Sequence, residues 1–263
     1  MRGRNLAAAL VVVTLALSSV LAAPEDARPS DTHAEWAGLY RVARAAELGD
    51  LRASLPDTPP RIEGIHEDLD AVIQPHLQPW ALAKMEQTNG VADDTGAICQ
   101  NAGFFRVAMV GFMWLPAGNK ILVVANALYS GGVRRIYLDS PHPQHPPLSW
   151  LGHSVGHWEG DTLVVDTTGF NDKSWLASSR QPHTEQLHVV ERFRMAAPGL
   201  LEVKTFVEDW QALTTPYTFL RYMKRTGTEF RENVCGGDPG EQRMWSEWRE
   251  RALRQGMLPL TKK

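Results

Sequence analysis

Residues 149–171, SWLGHSVGHWEGDTLVVDTTGFN, carry the densest set of chemistry-bearing side chains in the chain. His153, His157 and Asp166 are the types that acid–base chemistry uses. A carboxylate beside an imidazole fixes its tautomer and raises its pKa toward neutral working pH. Three arrangements compete. Gly152-His153-Ser154-Val155-Gly156 matches the G-x-S-x-G elbow of esterases, which needs a strand, a sharp turn and then a helix. Here Trp158-Glu159-Gly160-Asp161-Thr162 and then Leu163-Val164-Val165 follow, which is a turn and a strand. His153 and His157 also have the i, i+4 spacing of helical zinc ligands, but Ser154 stands where His-Glu-x-x-His needs its glutamate. On a strand the two rings would lie ~13 Å apart. Sharing one ion would need His142, His145, His183 or His188, so no metal is expected. The third arrangement is a hairpin turning at Gly160-Asp161, with 158 opposite 163, 157 opposite 164, 155 opposite 166 and 153 opposite 168. One face then carries His153, Val155, His157, Val164, Asp166 and Thr168. The other carries Ser154, Gly156, Trp158, Leu163, Val165 and Thr167. Asp166 becomes the diagonal neighbour of both histidines at roughly 7 Å. A solvated polar face without special role explains the same pattern equally well.

Further candidates surround this segment. Arg134-Arg135-Ile136-Tyr137-Leu138-Asp139 alternates, so Arg135, Tyr137 and Asp139 share a face. Arg135 and Tyr137 suit a developing negative charge, with Asp139 supporting proton transfer. The competing reading is an exposed strand edge. Pro141-His142-Pro143-Gln144-His145-Pro146-Pro147 reads as a stiff extended surface loop. His183, Glu185 and His188 precede a strand, and loops at a barrel mouth commonly line sites; His183 and His188 are candidate substrate contacts. Trp158 is a candidate wall for substrate, although tryptophans such as Trp114, Trp150, Trp175 and Trp210 more often build a core.

The elements that must position these residues change character along the chain. Residues 32–54, 61–73 and 79–87 have near-helical apolar spacing, broken by Pro56, Pro59 and Pro60 and stopped at Asn89-Gly90. From about Cys99 short β-branched and aromatic runs alternate with turn signals. Strands are expected over 104–110, 112–115, 120–127, 133–138, 154–158, 163–167, 187–194, 200–208 and 219–226. The resulting organisation is a signal peptide over 1–22, a helical N-terminal extension over 23–95, a β-barrel domain over 96–236, and a C-terminal helix and tail over 237–263. The expected fold is mostly β, an antiparallel up-and-down barrel with a helical extension.

Arg2 and Arg4, the apolar run Leu6–Leu17, and Val20 and Ala22 form the pattern of a cleaved export signal, and the expected location is periplasmic or secreted. Cleavage after Ala22 leaves 241 residues and moves the net charge from −3 to −5. That charge, without a Lys/Arg stripe, argues against nucleic acid, and no membrane span is expected after cleavage. The two cysteines, Cys99 and Cys235, are expected to pair in an oxidising compartment. They would close a long loop worth about 4–5 kcal/mol of chain entropy. Two free buried thiols are the alternative. There is no glycine-rich nucleotide loop, haem-attachment pair or redox cysteine pair, so no cofactor is expected.

Cys99 followed by Gly103-Phe104-Phe105-Arg106, then residues 133–139 with His142-Pro143, the 152–171 segment, Pro182-His183 through Arg192, and Glu208-Asp209 before Pro216 together resemble a family of exported bacterial proteins with a lipocalin-like strand layout. The match spans roughly residues 79–236. The family carries Gly-x-Pro-Arg at 103–106 and Asp-Gly-Arg-x-His-Pro where this chain has Asp139-Ser140-Pro141-His142-Pro143. The missing arginine weakens any anion-clamp role for that loop. The resemblance implies export and fold rather than chemistry. The function expected from the residues is a small-molecule enzyme with its pocket in the barrel interior. It would use His153, His157 and Asp166 as a lyase, isomerase or hydrolase on an apolar or aromatic metabolite. A non-catalytic periplasmic ligand-binding barrel and a structural envelope protein are the rivals. Oligomeric state is left open.

Overall fold

The computed structural model describes residues 31–49, 61–62, 67–90, 93–96, 99–109, 111–125, 132–177, 180–227 and 254. The expected signal peptide, nearly all of the C-terminal helix and Cys235 lie outside these residues. The chain is mostly β. Among the described residues ten strands form one sheet: β1 (Gly38–Val42), β2 (Arg61–Ile62), β3 (Phe112–Ala117), β4 (Lys120–Ala125), β5 (Val133–Leu138), β6 (His153–Glu159), β7 (Thr162–Thr168), β8 (His188–Ala197), β9 (Leu200–Glu208) and β10 (Tyr217–Thr226). Nine of them close a barrel in the order β1-β3-β4-β5-β6-β7-β8-β9-β10, with β10 pairing back onto β1, and β2 adds to β10 in parallel.

Two expectations are corrected here. The barrel is mixed rather than purely antiparallel, because β5 and β6 run parallel. A parallel neighbour cannot be reached by a tight turn, so residues 139–152 must carry the chain back along the outside. Prolines 141, 143, 146 and 147 suit that path, since they lack the N–H a ladder needs. The 32–54 stretch is not one helix either. It holds a 3-10 segment Asp31–Trp36, strand β1 and a four-residue helix Ala45–Leu48. The gain from closing the sheet edge against β3 and β10 overrides a helical spacing.

Alternation decides what enters the barrel. Trp114, Ile121, Ile136, Leu163, Val165, Phe193, Leu201, Val203 and Met223 meet inside, with Trp36 and Tyr40. A second core joins the β8, β9 and β10 ends through Val189, Val207 and Phe219 to the helices Glu67–Ile73 and Pro79–Gln87. The 104–110 stretch, expected as a strand, is the helix Phe104–Met109. A short apolar run fits either period, and packing chooses. Phe104, Phe105 and Val107 line the barrel's inner cavity beside Arg134 and Phe193. The helix therefore plugs the lumen. Gly103 starts it at φ +87, and a Cβ there would lie 2.2 Å from the Ser174 Cβ. Gly103→Ala is expected to cost about 2–3 kcal/mol, read as a lower midpoint in urea with an unchanged slope.

Candidate functional site

The hairpin register read from the sequence is the one the chain adopts. His153 opposes Thr168, Val155 opposes Asp166, His157 opposes Val164 and Trp158 opposes Leu163. Gly160 takes φ +64 at the first turn position, which glycine does without steric cost. The assignment of faces is the other way round. Ser154, Leu163, Val165 and Thr167 are fully buried inside the barrel, whereas His153 and Asp166 are part-buried and His157 is exposed on the outer wall. The barrel interior is largely filled. Packed side chains leave a cavity of about 40 Å³ there, room for one or two waters against the ~300–1,000 Å³ of small-molecule sites.

What occupies the interior is a buried ion pair. Arg134, rather than Arg135, turns inward. Its guanidinium meets Glu191 at 2.6 Å and donates from Nε to the Ser154 hydroxyl and from Nη2 to the Thr167 hydroxyl, both at 2.9 Å. Arg221 lines the same cavity, and burial, partly offset by Glu191, lowers its pKa to about 10.

The outer wall assembles the histidines. The 139–152 crossover lays His142 over β6 and β7. His142 Nε2 donates to Asp166 Oδ1 at 2.9 Å, and its Nδ1 faces His153 Nδ1 at 3.0 Å. From the other side, His188 on β8 places Nε2 2.8 Å from Asp166 Oδ2 and Nδ1 2.6 Å from Glu208 Oε1 on β9. Tyr137 stacks on the His153 ring, with centroids 5.1 Å apart, and Lys120 sits over the tyrosine. The result is a continuous chain of hydrogen bonds, Glu208–His188–Asp166–His142–His153.

Proton counting fixes its charges. A carboxylate only accepts, so both His188 nitrogens must donate and the ring is an imidazolium. Accordingly its pKa rises to about 9, first through the hydrogen bond to Asp166, against burial, and then through Glu208. Burial pushes the Asp166 carboxyl up, but hydrogen bonds and charge from His188 and His142 outweigh it and hold it below the ordinary value. His153 is lowered, by burial first and by the charge of His142 second. The two facing Nδ1 atoms are bridged by one proton, donated by whichever ring carries it there.

These shifts set a stability profile. The His188 contribution is complete below pH 6.5 and is lost as pH rises through about 9. The Asp166 share is present above pH 3.8 and fades as pH falls through its lower native value. The His153 share is lost as pH falls below 6.5. The melting-temperature difference between wild type and His188→Gln is therefore expected to be largest below pH 6.5 and to shrink toward zero above about pH 9, as thermal scans across pH will record.

Other predicted residues stand apart from this chain. His157 bonds Glu159 Oε1 at 3.2 Å, and Glu159 pairs with Arg192 in a surface network. Arg135 is exposed. Asp139 is exposed with φ +51, and its amide donates to the Gly156 carbonyl, so it turns the chain out of β5. Trp158 stacks on His33 at 3.5 Å between centroids. His183 is buried, held by the Ser174 hydroxyl at 2.8 Å and the Thr184 carbonyl at 3.1 Å, and burial lowers its pKa. It buttresses the second core. Sequence reasoning missed His142, which its proline loop disguised as surface, and Glu208. Glu208 also borders an open cavity of about 340 Å³ walled by Trp210, Gln78, Gln186, Thr214 and Thr215. Asp209 beside it is committed to the backbone and hydroxyl of Thr184 and to the amides of Gln211 and Ala212.

Among the described residues, no group of three or more His, Cys, Asp or Glu converges as metal ligands, and no helix is long and apolar enough to cross a membrane. Compared with known proteins, the chain matches no family model and no curated protein.

Proposed function

We propose that this chain is an exported small-molecule enzyme that works by His/carboxylate acid–base chemistry, with its site on the outer wall of the barrel. The observation that carries the reading is the unbroken Glu208–His188–Asp166–His142–His153 chain ending at a cavity of small-molecule size. In this reading Glu208 is the catalytic residue. It takes a proton from a C–H or O–H of the bound substrate. The His188 imidazolium, hydrogen-bonded to Glu208 behind the cavity wall, then supplies positive charge close to the negative charge left behind. Asp166, His142 and His153 are positioning residues that keep His188 charged and oriented. A lyase or isomerase step can begin with such a proton transfer, and a hydrolase step can when the base activates an O–H nucleophile. The lining favours a polar substrate over the apolar or aromatic one expected from the sequence.

Export, a periplasmic or secreted location and Cys99–Cys235 pairing belong to the same proposal, supported by the N-terminal sequence pattern and the family resemblance. Among the described residues no cysteine is free. The rival, a ligand-binding barrel without catalysis, is weakened by the filled lumen. The test is turnover of a panel of polar metabolites by wild type and Glu208→Gln across pH. Turnover that depends on Glu208 and declines above about pH 9 is expected. Ligands bound at this cavity but never converted would select the binder.

A further inference from the structure

We infer that the 340 Å³ cavity beside Glu208 is a saccharide subsite, so that the substrate class is a neutral sugar or a sugar at the end of a longer glycan. The inference rests on the proposed function and deepens it.

Trp210, in the loop after β9, is 71% exposed, and Trp80, in the first turn of the helix Pro79–Gln87, is 42% exposed. Trp80 donates its indole N–H to the Gln211 carbonyl at 2.7 Å, which sets it next to Trp210 in the fold. Large aromatic side chains are rarely left this open, because each forgoes a substantial burial of apolar surface. Trp210 walls the cavity itself, and an indole left this open there suits a ligand that offers a flat apolar face. The remaining walls say what else that ligand presents. Gln78, Gln186, Thr214, Thr215 and the Glu208 carboxylate line the cavity; Gln78 and Thr214, whose donors already bond the Leu213 and His76 carbonyls, keep acceptor oxygens, Gln186 adds an amide and Glu208 an anionic acceptor. A pyranose ring has this dual character: C–H faces that lie on an indole, and a rim of hydroxyls that both donate and accept. A flat aromatic metabolite would use the indole but leave those polar walls unmatched, which disfavours it.

The platform is also rigid before any ligand arrives. The Gln78 amide donates to the Ala212 carbonyl at 2.8 Å, the Thr214 amide to the His76 carbonyl at 2.7 Å, and the Gln78 side chain to the Leu213 carbonyl at 3.1 Å. His76 Nδ1 bonds the Thr215 hydroxyl at 2.8 Å, and the Asp209 carboxylate accepts from the Gln211 and Ala212 amides. Residues 211–215 are thus pinned to the helical layer, and Asp209 ties the start of the loop to Thr184. A weakly held, strongly hydrated ligand gains most from a site that has no ordering cost left. Glu208 joins the two roles. One oxygen is committed to His188 at 2.6 Å, and the carboxylate borders the cavity where a sugar hydroxyl or ring C–H would sit.

The experiment uses the mature full chain. Glucose, galactose, N-acetylglucosamine and their β-linked disaccharides are titrated by calorimetry and by ligand-observed saturation-transfer NMR, with co-sedimentation on insoluble cellulose and chitin as the polymer arm. Wild type is expected to bind at least one soluble sugar with a dissociation constant of order millimolar. Trp210→Ala is expected to weaken that at least ~10-fold, and Trp210→Phe to restore it to within about threefold. Co-sedimentation with a polymer, lost in Trp210→Ala, places the sugar on a glycan rather than free. Sugar binding that Trp210→Ala leaves unchanged overturns the inference, and so does the absence of any sugar binding. If sugars fail to bind while Glu208-dependent turnover of another polar metabolite persists, the inference falls and the proposed function stands. Sugars bound through Trp210 but never converted give the reverse.

Discussion

Glu208→Gln is expected to lower turnover by roughly 10²–10⁴-fold, the range lost when a positioned general base is removed. The substitution keeps the shape and one carbonyl acceptor for His188 Nδ1, so stability should change by only about 1 kcal/mol at this part-exposed position. His188→Gln should also reduce turnover, through a different route. It keeps the base but removes the cation behind it, so kcat should fall with little change in KM, and the alkaline decline near pH 9 should disappear. Steady-state kinetics across pH on both variants separates the two roles. Equal pH profiles in wild type and His188→Gln would place the ionisation elsewhere.

Glu191→Gln is expected to be the most destabilising change in the barrel, costing about 3–5 kcal/mol. Glu191 is 4% exposed and Arg134 is 7% exposed, so the guanidinium would stay in the lumen without its carboxylate. Arg221, lining the same cavity, adds a second positive charge. Ser154 and Thr167 can still accept from Arg134, but hydroxyls do not replace a counter-charge. For a chain of this size the loss corresponds to a melting temperature lower by roughly 6–20 °C. The double variant Arg134→Met with Glu191→Leu should lose less than Glu191→Gln alone, since it removes both charges together. Calorimetry of the three proteins checks the order.

Why some of this could be read from residues alone, and some could not, follows from the range of the interactions. The Gly160-Asp161 turn is local, and two-residue loops fix register, so the 153–168 pairing was legible. The face was not. Both faces of that hairpin mix polar and apolar residues, and which one points inward depends on the partner strands. Ser154 and Thr167 are inside because Arg134, on a strand reached only through a crossover, needs their hydroxyls. His142 was hidden for the same reason. Its loop looks like surface until β6 is known to run parallel to β5.

Glu208 depended on a smaller feature. A tight turn at Pro198-Gly199 pairs Ala197 with Leu200, and continuing that register would set His188 opposite Asp209. A bulge between Met195 and Ala197 shifts it by one, so that His188 meets Glu208 instead. Nothing in the local sequence announces that extra residue. The strand count failed at β1, where a five-residue segment with helical spacing serves to close the barrel.

The central claim is that Glu208, His188 and Asp166 hold a charged imidazole on the outer wall of the barrel, beside the cavity. The ¹⁵N NMR shifts of the His188 ring, followed from pH 5 to 10, measure it directly. Both nitrogens should carry protons at neutral pH and titrate together near pH 9. A neutral His188 that titrates near pH 6.5, like a free imidazole, would contradict the account.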